Sequence, residues 1–185
     1  MADFKVQRGT LSIASGTASG VLTAGVHYDA PSAITKAWIE VKSVGGTTDG
    51  AQLQFNGGLG RNTAELTNPA NLLPSIPFTR SDSTNSDINI QWEIWEYTGS
   101  ASGVNEFKVL GQETLTMNSP TTAVNSSAWT PANDADVVCF ITSQSSDASG
   151  ADAIAECAAT LDWDAANNYI TATRGVSSAS GYISV

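Results

Sequence analysis

The chain has 185 residues, a formal net charge of −10 and only 14% charged residues, against roughly 25% in an ordinary soluble domain. Its hydrophobic content of 41% excludes wholesale disorder, and a chain of this length can bury roughly 70% of its unfolded surface without staples. No Lys or Arg occurs between Val109 and Thr173, while that span holds Glu113, Asp134, Asp136, Asp147, Asp152, Glu156, Asp162 and Asp164. Such a balance repels phosphate, so neither nucleic acid nor an anionic membrane is expected as a partner.

The opening MADFKVQRGT lacks an apolar run of signal-peptide length, and no later stretch approaches the roughly 20 apolar residues of a membrane span. Synthesis in a cytoplasm is therefore expected. FKVQRGTLSI and GVLTAG read as an opening strand pair around the Ser15–Gly20 turn, with residues 1–9 as an alternative extended arm anchored by Phe4 and Val6. ITKAWIEVKSV alternates, with Ala37, Ile39 and Val41 against Trp38, Glu40 and Lys42. Together with AQLQFNGGLG it suggests a hairpin of Ile34–Val44 with Ala51–Leu59, across GGTTDG. Residues 67 to 85 contain Pro69, Pro74 and Pro77, which should block a central strand and leave a long loop pinned by Leu72, Leu73, Ile76 and Phe78.

INIQWEIWEY is the clearest element. Ile88, Ile90, Trp92 and Ile94 fall at every second position, the period of a strand with one apolar face. EFKVLGQETLTM is its expected partner. VVCFITSQ and AIAECAATLDW suggest a third pair, although a short helix competes over Ala153–Leu161. NYITATRG and GYISV close the chain. The sum is all-β: about nine to eleven strands in one antiparallel β-sandwich of jelly-roll type spanning residues 1–185.

Chemistry is sparse. His27 is the one histidine, too few for a His-rich metal site, and no GxSxG elbow accompanies it. Glu93 and Glu96 lie three apart on a strand and so point to opposite faces; Glu40, Glu65, Glu106 and Glu113 are scattered. Asp162 and Asp164, in DWDAANN, have calcium-loop oxygens but lack the central Gly and distal Glu of an EF-hand, so a turn is the favoured reading. GGLGRN and GGTTDG lack the lysine of a phosphate loop. Cys139 and Cys157 are equidistant from a turn at residue 148 and could face each other, but two buried thiols are the simpler expectation. We expect no catalytic residue, cofactor or metal. Candidate interface positions are Trp38, Trp95 and Tyr97, because aromatics off the apolar register either fill a second buried face or anchor a partner, together with Phe4 and Val6 as anchors of the arm and Trp129 in the loop SPTTAVNSSAWTPAND.

The opening VQRGTLSIASGTASGVLTAGVHYDAP and the closing VVCFITSQ…YITATRGVSSASGYISV resemble the ends of β-rich virion proteins of tailed bacteriophages. The likeness covers roughly the outer thirds of the chain and rests on strand texture and the words QRGT and TATRG. It implies a non-enzymatic subunit of the virion, either a capsid decoration or head-associated protein or a tail or fibre part. It further implies contacts with the major capsid protein, other virion subunits or copies of itself. A carbohydrate-binding module is the alternative from a different class.

Overall fold

The structure, a computed structural model, describes residues 3–46, 53–55, 75–80, 87–100, 107–118, 121–125, 127–133, 136–146, 158–175 and 180–185. Among these the chain forms β1 (Phe4–Ile13), β2 (Ser19–Thr23), a 3-10 turn at Ile34–Lys36, β3 (Ala37–Gly46), β4 (Leu53–Phe55), β5 (Ser75–Arg80) and β6 (Ile88–Tyr97). It continues with β7 (Thr114–Asn118), β8 (Thr122–Val124), β9 (Ser143–Ser146), β10 (Ala159–Asp164), β11 (Tyr169–Arg174) and β12 (Ser180–Ser184). The protein is all-β, and nine of these twelve strands are five residues or longer. They make four three-stranded sheets, β1-β6-β3, β2-β5-β4, β7-β12-β9 and β10-β11-β8. Every ladder between them is antiparallel.

β6 behaves as its alternation requires. Ile88, Ile90 and Ile94 are fully buried and Trp92 nearly so, while Asn89 and Gln91 are exposed. Leu11 and Ile13 of β1 and Ile39 of β3 join them on the inner face. Leu22 of β2 and Ile76 and Phe78 of β5 meet that face from the second sheet. One core therefore lies between the first two sheets, each buried side chain contributing about 1.5–3 kcal/mol. A second cluster gathers Leu115 and Met117 of β7, Ile170 and Ala172 of β11, Ile183 and Val185 at the end of the chain, and Trp129. The N-terminal and C-terminal halves thus each pack their own apolar cluster.

The pairings differ from those expected of neighbouring runs. β1 and β2 join different sheets, because Leu11, Ile13 and Leu22 reach one core from opposite sides. The residues offered as an arm, from Phe4 onward, are the first half of β1, paired along β6 from Phe4↔Tyr97 to Ile13↔Ile88. β3 pairs with β6 and β4 with β5, so among the described residues there is no β3–β4 hairpin. β7 and β9 both flank β12, and β10 and β8 both flank β11. Among the described residues β6 has no ladder with the segment that follows it; residues 107–113 belong to no strand, and β7 begins at Thr114. The described part of the proline-rich stretch is also no loop: Ser75–Arg80 is the central strand of its sheet. Among the described residues Pro77 is paired with Val21 of β2 alone, which fits a strand proline, since it needs one side without a donor.

Gly9 shows how tight the first core is. It faces Trp92 across the β1–β6 ladder, and a Cβ there would sit 2.7 Å from the indole. Gly9→Ala is expected to destabilise the protein by about 1–3 kcal/mol in urea unfolding, as overpacking does. Gly175→Ala, with open space around it, should stay within about 0.5 kcal/mol of wild type.

Candidate functional site

The outer face of β1-β6-β3 carries two kinds of chemistry at its two ends. Cross-strand register stacks Phe4 beside Tyr97, Val6 beside Trp95, and Trp38 on the other side of Trp95. Trp38 and Trp95 lie parallel, with ring centroids 5.8 Å apart. Phe4 meets Trp38 edge-on at 5.9 Å and Tyr97 at 5.4 Å. Five of the six sequence candidates therefore share one patch. The patch is not bare: Phe107 packs on Phe4 and Trp38, and Phe140 packs edge-on against Trp38 at 5.7 Å. Trp38 and Tyr97 end up buried, while Phe4 and Phe140 remain 39% and 38% exposed at the rim. The sixth candidate, Trp129, lies elsewhere, buried in the second cluster.

Next along the face, Glu40 and Glu93 sit directly opposite one another on β3 and β6, an arrangement that is destabilising if left alone. A bulge between Val41 and Ser43 inserts Lys42 beside them. Its ammonium bonds Glu40 and lies 3.4 Å from Glu93, and Arg8 Nε donates to Glu93 at 3.1 Å. Burial pushes the Glu40 carboxyl up, but the Lys42 ammonium and the Trp38 indole N–H, which donates to it at 2.9 Å, hold it below the ordinary carboxylate value. The same partnership raises Lys42. The sequence hid this meeting of scattered glutamates. Glu96, on the opposite face as alternation demands, is buried and accepts from the Ser32 backbone N–H at 2.6 Å.

The two halves are joined along β3. Its edge away from β6 needs partners, and residues 107–113 together with Thr142 supply them. Gln112 is buried; its Oε1 accepts from Ile39 N–H at 3.2 Å and its Nε2 donates to Ile39 C=O at 2.7 Å. The same Nε2 donates to Thr142 Oγ1 at 3.0 Å, and the Thr142 carbonyl accepts from Val41 N–H at 2.9 Å. Val109 N–H donates to the Thr35 carbonyl at 2.7 Å. Nothing in the sequence singled out Gln112.

Beside this seam opens a cleft of about 730 Å³. Trp38 and Phe107 line it from the seam, Trp129 and Trp163 from the second cluster, and Phe140 from residues 136–142. Lys108, Asn133 and Asp136 are exposed at its margin. Gly111 lets the backbone lie against Trp129, since a Cβ there would come within 2.4 Å of the indole.

The other candidates resolve into local structure. His27 Nδ1 accepts from Thr23 N–H at 2.9 Å, which fixes a turn. Asp164 accepts from Ala166 N–H, Asn167 N–H and Asn167 Nδ2 at 3.0, 3.2 and 2.7 Å. These bonds, led by the Asn167 side chain, lower its pKa. Asn168 completes that turn in the left-handed region, at φ 61°. Asp162 lies two residues earlier, on β10. Cys139 is a half-buried free thiol, raised by burial and then by Asp162. Cys157, Glu65, Glu106 and the GGLGRN and GGTTDG turns beyond Gly46 lie outside the described residues. Among the described residues no group of three or more His, Cys, Asp and Glu could hold a metal, and no helix is long and apolar enough to cross a membrane. Comparison with protein-family models, curated proteins and solved structures finds no match to this chain.

Gln112→Met should cost on the order of 2 kcal/mol or more, because it strands the N–H and C=O of Ile39. Urea unfolding would read the loss, and hydrogen exchange should show the Ile39 amide losing protection. A second expectation concerns pH. Glu40's folded pKa lies below its ordinary 4.5, so its contribution is present above that value and fades as pH falls through the lowered one. Lys42→Ala leaves Glu40 and Glu93 opposed. Its stability deficit against wild type should therefore be largest near neutrality and shrink on acidification, in parallel urea titrations.

Proposed function

We propose that the chain is a structural subunit of a tailed-bacteriophage virion, a capsid decoration or head-associated protein, that acts by protein–protein contact and not by catalysis. In this reading the sheets sharing each apolar cluster are stacked as β-sandwich layers of jelly-roll type. The likeness of the chain's two ends to such virion proteins supports the assignment. The observation that carries it is the state of two sheet edges. β2 and β8 each have one ladder partner among the described residues, and each carries an exposed valine, Val21 at 41% and Val124 at 56%. An open strand edge with an apolar side chain is what a neighbouring subunit can extend by adding a strand. Low charge density helps close-packed neighbours, because few ions need to lose their water. The partners proposed are the major capsid protein and further copies of this chain.

Purified protein mixed with undecorated shells should co-sediment with them and raise their resistance to heat. Val21→Lys and Val124→Lys should weaken that binding while leaving the melting temperature within a few degrees of wild type, as exposed substitutions do. Shells that neither bind the protein nor gain stability would overturn the head assignment, and electron microscopy of virions would then show whether it sits on the tail.

A further inference from the structure

We infer that the cleft between the seam and the second cluster is a binding site for a short neutral carbohydrate. Its volume of about 730 Å³ falls in the roughly 300–1,000 Å³ range of small-molecule sites. Its walls are aromatic on several sides: Trp38, Phe107 and Phe140 toward the seam, and Trp129 and Trp163 toward the second cluster. A pyranose ring has an apolar face of C–H groups that packs on such rings, and hydroxyls around its edge that need donors and acceptors. The margin provides both. Lys108 donates, Asp136 accepts, and Asn133 Nδ2 donates to Asp136 Oδ2 at 2.9 Å, which fixes the carboxylate at the mouth.

Other occupants fit less well. An anion would meet Asp136 at the mouth and Asp162 near the Cys139 wall, with Lys108 as the one cation among the described lining residues. A wholly apolar molecule would cover the polar margin without pairing it, which costs free energy. Reaction chemistry is not needed either. Burial, and then the charge of Asp162, raise the Cys139 thiol and keep it protonated, so it is a poor nucleophile.

The test is titration of the full chain with cellotriose, maltotriose, mannotriose and tri-N-acetylchitotriose at up to millimolar concentration, followed by tryptophan fluorescence and calorimetry. At least one should bind and alter the emission. Phe140→Ala removes a rim ring and Asp136→Ala removes the acceptor at the mouth; each should weaken that binding by about tenfold or more. Asp136 is exposed, so its variant should melt as wild type does and report on binding alone. Silence across all four sugars overturns the proposal, as does binding that neither variant weakens. Uptake of an uncharged apolar dye such as Nile red, with no sugar displacing it, would overturn it in favour of an apolar occupant. These outcomes leave the shell-binding result untouched, so the two proposals fail separately.

Discussion

A strand edge buried inside a protein must find partners for its N–H and C=O groups, and β3 has such an edge where the two apolar clusters meet. The cost of leaving one group unmet is about 1–3 kcal/mol, enough to separate the halves if several were stranded. The chain does not answer with another regular strand there. The Gln112 side-chain amide takes both backbone groups of Ile39, and the Thr142 carbonyl takes the N–H of Val41. The device recurs elsewhere. Gln7 holds both backbone groups of Asp29 at 2.8 and 2.7 Å, and Asn125 combines its own N–H with its side-chain oxygen to hold Ile170. A neutral amide closes an edge without bringing a charge into the apolar interior. That is one physical use for the amide-rich, charge-poor composition of the chain.

The outer face of β1-β6-β3 depends on this closure. With 107–113 anchored through Gln112, Phe107 is held over Phe4 and Trp38, and Phe140 follows two residues before Thr142. The aromatic end is thus covered by the protein's own second half. The charged end balances itself locally, two glutamates against Lys42 and Arg8. Exposed ion pairs of this kind contribute little individually. Their role is to make a like-charge pair on adjacent strands tolerable, so that β3 and β6 can keep their register.

What the sequence disclosed, and what it did not, follows from which interactions are local. Alternation named the buried face of β6 residue by residue, because side-chain direction on a strand is set by its own backbone. The same logic separated Glu93 from Glu96 and put Trp38, Trp95 and Tyr97 on the other face, whereas Phe4 and Val6, read as anchors of an arm, were placed there only by the β1–β6 ladder. Partner choice is not local. Neighbouring runs invited hairpins, yet only β4–β5 and β10–β11 among the ladders join strands that are consecutive in the chain. Pro77 misled for a related reason: whether a proline disrupts a strand depends on what lies beside it, and the described residues of β4, Leu53–Phe55, pair with Phe78–Arg80 and not with Pro77. Gln112 and Asn125 left no signal, since a glutamine or asparagine bonded to a distant backbone looks the same in sequence as one facing water. Trp129 was separated from the other candidates by position in the second cluster, which no periodicity encodes.

The cleft and the seam share walls, and that ties the candidate site to the fold. Trp38, Gln112 and Thr142 line the cleft, and the same three residues make the ring contacts and hydrogen bonds that tie β3 to residues 107–113 and to Thr142. Packed interiors have little slack, so a side chain cannot move at the cleft without disturbing its neighbour at the seam. Anything lodged in the cleft therefore rests on residues that hold the halves together. It stabilises the closed seam to the extent that it binds this arrangement and not the opened one. A pocket assembled from both halves exists only while they are correctly joined.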